Sequence, residues 1–299
     1  MEPIPDRFAD AETDFAVPRR RWPRLQAILY LLTAVTTFAA GAAGWEPVVL
    51  GLDADLDNAI AGHWPRGLLY MVAVMAVLTA HEAGHFVAAR VHRIPATLPF
   101  FIPVPVLLTG TLGAVIGMEG SRANRRQLFD IALAGPVAGL ALALPVMAMG
   151  MLGGTAAPRS PFAMPPVAEW MLRWLRPDVA AGASIEPNAL FMAGWVGLLV
   201  TGLNMFPISQ LDGGHVSYAV FGRRSRWIAR GVLLAAITAI VVLGRFNWIA
   251  MAVIVTLLGT DHPPIREDGL PLGAVRTVLG LLSLLIPVFT FMPEPLLLE

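Results

Sequence analysis

The sequence predicts an all-α polytopic membrane protein of six to seven transmembrane helices, with a short re-entrant or β-hairpin segment after the second. Three observations carry that prediction. Of 299 residues, 56% are hydrophobic and only 14% are charged, and the mean hydropathy is +0.66. The apolar residues fall in runs near the roughly 20 residues that cross a hydrocarbon core of about 30 Å. The charges sit in clusters between those runs. Basic and acidic side chains balance at 21 each, so no net field draws DNA, RNA or an acidic partner, and nucleic-acid binding is disfavoured. Zero cysteines exclude a disulfide framework, a thiolate metal site and a cysteine nucleophile. Any metal must be held by His, Asp or Glu.

Taken in order, four apolar stretches read as spans: Leu25 to Gly44, Leu68 to Ala89, Leu128 to Leu152 and Ala189 to Leu211. Trp227 to Gly259 is apolar but interrupted by Arg245 and Asn247, which favours a hairpin of two short helices over one broken rod, and Leu270 to Phe291 makes a last span. Residues 1–24 form an N-terminal segment, 25–66 the first span with its external loop, 67–215 a central core and 216–299 the C-terminal helices. The chain has no lysine, so arginines set orientation. Arg7, Arg19, Arg20, Arg21 and Arg24 precede the first span, whereas Glu46, Asp53, Asp55 and Asp57 follow it with only Arg66. The N-terminus is therefore expected in the cytoplasm. Arg90, Arg93, Arg122, Arg125 and Arg126 end the second span on that face, and Arg223, Arg224, Arg226 and Arg230 do so for the fourth, so spans two and four run in one direction. The run Arg19 to Arg21 also fits a twin-arginine export signal, but the following stretch is long enough to span and reads more simply as an uncleaved anchor. Between the third and fourth spans, a proline-rich loop is expected outside the membrane, with an interfacial helix near Trp170 to Leu175.

Residues 81–85 read His-Glu-Ala-Gly-His, fitting HExxH. Two histidines four residues apart lie about 40° apart around a helix and can share one metal ion. Glu82, on the same side, is placed as a general base for a metal-activated water. With 6 His in 299 residues, accidental matches number about 0.004. A pair of core histidines satisfied by polar neighbours is the bland alternative, but charge inside a span costs at least about 2.5 to 3.5 kcal/mol, and three polar residues together need a shared reason. A second carboxylate from another helix would leave the cluster near neutral. Asp212 is the candidate, because its span reaches the same face. Two histidines and one carboxylate leave a coordination position open, as in a catalytic rather than a structural zinc site.

Pro95, Pro99, Pro103 and Pro105 break any helix from Ile94 to Leu108. Thr109 to Gly120 follows, with Gly110, Gly113, Gly117 and Gly120 among apolar residues. Irregular backbone at membrane depth survives only against protein or water, so this segment is expected to line a cavity as a re-entrant loop or hairpin; a strained connector is the alternative. Gly135 to Gly139 is a GxxxG around Pro136, expected to pack helices closely and kink one. Asp130 reads as an interfacial or helix-start carboxylate. His63, His92 and His262 carry no ligand spacing and read as loop or interface residues.

HExxH in one span, together with Asn204-x-x-Pro207-x-x-x-Leu211-Asp212-Gly213 in a later one, resembles the site-2 protease family of intramembrane zinc metalloproteases. The resemblance covers Leu68 to His215, with Met205 where many members have proline. It implies peptide hydrolysis in or near the bilayer with one Zn2+ per chain on His81, His85 and Asp212, and Glu82 as catalytic acid and base. It further implies that Asn204 holds the substrate or the oxyanion, against a plain helix-to-helix hydrogen bond as the alternative. The segment with Gly110 and Gly113, together with Pro207, would contact a substrate chain added to an exposed strand edge. His215 has two readings, a reserve ligand or a group at the interface or behind the ligands that supports them. Residues 86–203 offer no polar block of about 90 residues for a PDZ module, which points to the PDZ-lacking branch, including the chloroplast type. The implied partners are a transmembrane protein substrate and the lipid bilayer, the implied setting a bacterial inner (plasma) membrane; the oligomeric state stays open. A membrane metal transporter and an inactive metal-binding scaffold are the rival readings, the first disfavoured by a single polar cluster without repeated halves.

Overall fold

The computed structural model describes residues 23–45, 56–180, 182–242, 244, 248–266, 270–292 and 294–296. The N-terminal arginines before Arg24, the loop residues Glu46, Asp53 and Asp55, and Arg245 with Asn247 lie outside the described residues. Three described helices are long and apolar enough to cross a bilayer: α1 (Arg24–Ala42), the Ala61–Val91 stretch of α2 (Leu56–Val91) and α3 (Arg125–Gly153). The N-terminal end of α2 kinks at His63, just before Pro65, whose ring removes one backbone donor and crowds the preceding turn. Asn124 starts α3 with a capping box, its side chain accepting from Gln127 N while the Gln127 side chain accepts from Asn124 N.

The core is a bundle of α2, α3 and α5 (Ala189–Asn204). Small residues let these helices touch. A Cβ on Gly84 of α2 would stand 2.4 Å from Ala134 O of α3, and one on Gly194 of α5 would stand 2.4 Å from Met147 Cβ. Gly197 faces Val77, and Asn204, seven residues on, reaches His81, so α2 and α5 run parallel, as expected for spans two and four. His81 faces Gly139 and His85, one turn later, faces Gly135, so α3 runs antiparallel to α2.

The fourth expected span is shorter than its apolar run. α5 ends at Asn204, and residues 205–211 form a tight turn, in which Ser209 has a φ of 31°. Pro207 has no N–H to offer Leu203 O, so the α-helical ladder cannot continue. α6 (Asp212–Phe221) then starts a new direction, and a Cβ on Gly213 would stand 1.9 Å from Met205 O, so α6 folds tightly against the turn. Asp212 is thus the first residue of a short helix rather than the end of a long one.

The C-terminal hairpin is present as α7 (Ser225–Val241) and α8 (Ile249–Leu258). Arg230, early in α7, reaches Thr260 and Asp261 just after α8, so the pair is antiparallel. The last apolar run divides into α9 (Ala274–Ser283) and α10 (Ile286–Thr290), because Pro287 cannot donate to Ser283 O. The expected interfacial helix is α4 (Pro166–Leu175), burying Ala168 and Leu172 while Trp170 and Trp174 are exposed, an amphipathic pattern suited to a membrane surface. A two-residue pairing of β3 (Ala156–Ala157) with β4 (Ser184–Ile185) closes the loop carrying it.

The proline and glycine segments fold together as one antiparallel hairpin, β1 (Phe100–Pro103) with β2 (Thr111–Val115). It is extended by Thr97 N donating to Gly117 O and Glu119 N to Pro95 O. Its tip is held between α1 and α2: Thr36 Oγ1 donates to Gly110 O at 2.7 Å, and Tyr70 Oη donates to Thr109 O at 2.9 Å. Arg66 ties α2 to α1, donating to Gly41 O at 2.8 Å and Ala42 O at 2.7 Å beneath the Trp45 ring. Those carbonyls end α1, past the last regular helical donors, and Gly41 O also accepts from Gly44 N at 3.3 Å. Arg66→Ala is expected to lower stability by about 2 kcal/mol, read as a fall in the midpoint of thermal unfolding in detergent, with Arg66→Lys intermediate.

Candidate metal centre

His81, Glu82 and His85 lie on one stretch of α2 and are buried, with exposures of 2%, 4% and 6%. Asp212 enters from the start of α6. His81 Nε2, His85 Nε2 and Asp212 Oδ2 form a triangle with every side 3.2 Å. His85 Nδ1 lies 2.8 Å from Ile131 O; a carbonyl only accepts, so Nδ1 carries the proton and Nε2 of the neutral ring has its lone pair free. Asn204 Nδ2 is 3.4 Å from His81 Nε2.

This arrangement fits a metal. Donors bound tetrahedrally to zinc at about 2.0–2.1 Å stand roughly 3.3 Å apart, and two imidazoles with one carboxylate are a zinc donor set. No placement of protons on the two rings satisfies all three sides of the triangle, because two of its three atoms are then both donors or both acceptors. Glu82 Oε2 and His81 Nδ1 are buried with no hydrogen-bond partner among the described residues, the condition of groups arranged around something further. Across the described residues, His81, His85 and Asp212 are the one group of three or more such side chains able to share an ion.

Glycines on α3 make the room. A Cβ on Gly135 would stand 2.1 Å from His85 Nε2, and one on Gly139 would stand 2.9 Å from His81 Nδ1. The GxxxG expected to pack helices thus packs directly against the two imidazoles. Beside the triangle is a cavity of about 130 Å³, lined by Glu82, His85, Asn204, Gln210, Asp212 and His215, and by Ala114, Val115, Ile116 and Met118 of the hairpin. Gly110, Gly113 and Pro207 lie outside that lining. Gly110, with a φ of 75°, presses on the Thr36 backbone, Gly113 faces Val200, and Pro207 stands in the turn before α6. Ala114 to Ile116 lie within Thr109 to Gly120, the segment expected from sequence to line a cavity, and they line this one.

Other polar residues are engaged elsewhere. Asp130 accepts from both Arg276 Nε and Nη2 at 2.7 and 2.9 Å, and its Oδ2 is 3.1 Å from His92 Nε2, tying α9 to α3 and the end of α2. His262, read from sequence as an ordinary loop residue, touches His215.

The family model described as peptidase family M50 matches residues 69–244. The chain is 29% identical over 238 residues to "Probable zinc metalloprotease EGY2, chloroplastic" of Arabidopsis thaliana, covering 77% of this chain and 42% of that protein. It is 30% identical over 235 residues to "Probable zinc metalloprotease EGY1, chloroplastic" of Oryza sativa subsp. japonica, covering 74% and 39%. It is 26% identical over 298 residues to "Probable zinc metalloprotease EGY3, chloroplastic" of Oryza sativa subsp. indica, covering 91% and 48%. The chain spans less than half the length of these relatives. No solved structure matches it.

Gly135→Ala adds a methyl that must displace the His85 ring, although alanine is the better helix former by about 1 kcal/mol. The expected outcome is unchanged helix content by circular dichroism with at least a tenfold loss of zinc affinity, measured by competition with a chromophoric chelator.

Proposed function

The chain belongs to peptidase family M50, and on that premise we propose that it is an intramembrane zinc metalloendopeptidase that hydrolyses peptide bonds in or near transmembrane segments of membrane proteins. The observation that carries the reading is the triangle of His81 Nε2, His85 Nε2 and Asp212 Oδ2 beside the buried, unpartnered Glu82 Oε2. His81, His85 and Asp212 would hold one Zn2+. Bound there, zinc lowers the pKa of a water molecule and polarises a carbonyl oxygen.

The protein's own groups do the rest. Glu82, next in sequence to the ligand His81 and facing the cavity, takes a proton from the attacking water and returns it to the leaving amine. Asn204, at the same depth, supplies an amide donor towards the carbonyl oxygen on which charge develops. A helical peptide bond shields its carbonyl, so a substrate must unwind before attack. The edge of β2 that does not pair with β1, running into Val115 and Ile116 at the cavity, would offer an extended segment backbone partners while it is out of its own helix.

Arginines support an orientation. Arg90 ends α2 five residues after His85, about 8 Å along the axis, and Arg93, Arg122, Arg125 and Arg126 cluster at the same end. We infer that this end is cytoplasmic and that water reaches Glu82 from it over about two helical turns.

Two outcomes test these readings. Glu82→Ala is expected to retain zinc and fold while cleavage of a membrane substrate falls at least a thousandfold; appreciable cleavage by the zinc-loaded variant would remove Glu82 from its role. Because the natural chain has no cysteine, single cysteines at Arg122 and Trp174 can be labelled in intact cells without background. A membrane-impermeant maleimide is expected to label Trp174→Cys and to spare Arg122→Cys, and the opposite pattern reverses the orientation.

A further inference from the structure

His215, His262 and the Pro263 carbonyl form a chain of polar groups that reaches the cavity through His215 and is used by neither metal binding nor the Glu82 proton transfer. His262 Nδ1 is 2.6 Å from Pro263 O, and since a carbonyl only accepts, Nδ1 is the protonated nitrogen. Burial lowers the pKa of His262 below that of an ordinary imidazole, so the ring is neutral and its Nε2 carries a lone pair. That Nε2 stands 2.6 Å from His215 Nδ1, which must therefore donate. The chain of hydrogen bonds fixes the tautomer of His215: its Nε2 is left unprotonated, on a residue that lines the cavity with Glu82 and Asp212.

The fixing group is itself held in place. The His262 ring stacks on Tyr218 with centroids 4.2 Å apart and planes at 19°. Ser209 Oγ donates to Asp261 O at 2.9 Å, and Arg266 N donates to Ala123 O at 3.0 Å. The strap 261–266 thus links the turn before α6, α6 itself and the start of α3, and it lies beyond the 69–244 region matched by the family model.

An extended chain carries N–H and C=O groups on both edges, and in a cavity shielded from water each needs a partner. A substrate paired through one edge to β2 leaves its other edge to the side chains lining the same cavity. Asn204 and Gln210 bring amides that can donate or accept, Asp212 is committed to the metal and Glu82 to the water, and His215 Nε2, its tautomer fixed, is the neutral side-chain atom of that lining that can only accept from a backbone N–H. We propose that His215 is a substrate-binding residue whose Nε2 accepts a hydrogen bond from a backbone N–H of the extended substrate, and that His262 is a positioning residue that sets its tautomer.

This inference rests on the peptidase reading, and its test separates the two. Dye-labelled casein, an unfolded protein rich in extended backbone, serves as probe for the full-length protein in detergent. His215→Leu is expected to raise KM about tenfold, with kcat within about twofold and zinc per chain unchanged. His262→Leu is expected to do the same, and His262→Gln, whose side-chain oxygen can still accept from His215 Nδ1, to recover most of the loss. In a Glu82→Gln background, casein binding followed by fluorescence anisotropy should weaken about tenfold with His215→Leu. Loss of zinc or a fall in kcat at constant KM in His215→Leu would overturn the proposal, as would an unchanged KM or equal behaviour of His262→Gln and His262→Leu. Absence of Glu82-dependent cleavage would sink the peptidase reading alone, since the anisotropy comparison still decides the role of His215; absence of casein binding would overturn both.

Discussion

Three lone-pair atoms, His81 Nε2, His85 Nε2 and Asp212 Oδ2, are held 3.2 Å apart inside a helical bundle where water is scarce. Without a cation that arrangement sets acceptor against acceptor in a low dielectric, where each unpaired polar group costs several kcal/mol. Much of the surrounding fold serves to hold it. α2 supplies both rings on one face, α3 supplies a glycine against each ring, and the Met205–Leu211 turn delivers a carboxylate at the depth of the rings. The hydrogen bond from His85 Nδ1 to Ile131 O fixes which nitrogen points inward, the outer partner that a metal-binding histidine ordinarily has.

The same constraint explains the placement of the hairpin. Backbone that is neither helix nor closed barrel cannot face lipid, and here its strands are anchored by Thr36 of α1 and Tyr70 of α2 while the end of β2 borders the cavity. Irregular structure is thereby concentrated beside the candidate metal centre. Under the proposed peptidase activity the buried centre and the strand edge become two parts of one requirement, since hydrolysis needs an unwound peptide and an activated water in the same small volume.

How much of this the sequence revealed depended on whether the signal was periodic or local. The pair His81 and His85 was legible because a spacing of four is a geometric statement about a helix, and the three long spans were legible because apolar length is. Asp212 was legible as a ligand candidate, but its setting was not: apolarity ran through Pro207 to Leu211, and only the N–H that Pro207 lacks, which would have met Leu203 O, shows why α5 stops at Asn204. Pro287 hid the break in the last helix in the same way. The prolines from Pro95 to Pro105 correctly excluded a helix, yet nothing local showed that Phe100–Pro103 pairs with Thr111–Val115, because strand pairing is a long-range choice. The contact between His215 and His262 joins residues 47 positions apart, and no spacing rule reaches across such a distance. Gly135 and Gly139 were recognised as packing residues; that they pack against imidazoles required coordinates.

The central claim is that one ion is shared by the two histidines of α2 and the aspartate of α6. Zinc-edge X-ray absorption on the purified, detergent-solubilised protein tests it most directly. The account predicts one zinc per chain, with two imidazole ligands and oxygen donors at about 2.0–2.1 Å, and a changed first shell in Asp212→Asn. Stoichiometric zinc without imidazole scattering, or a first shell that Asp212→Asn leaves untouched, would contradict it.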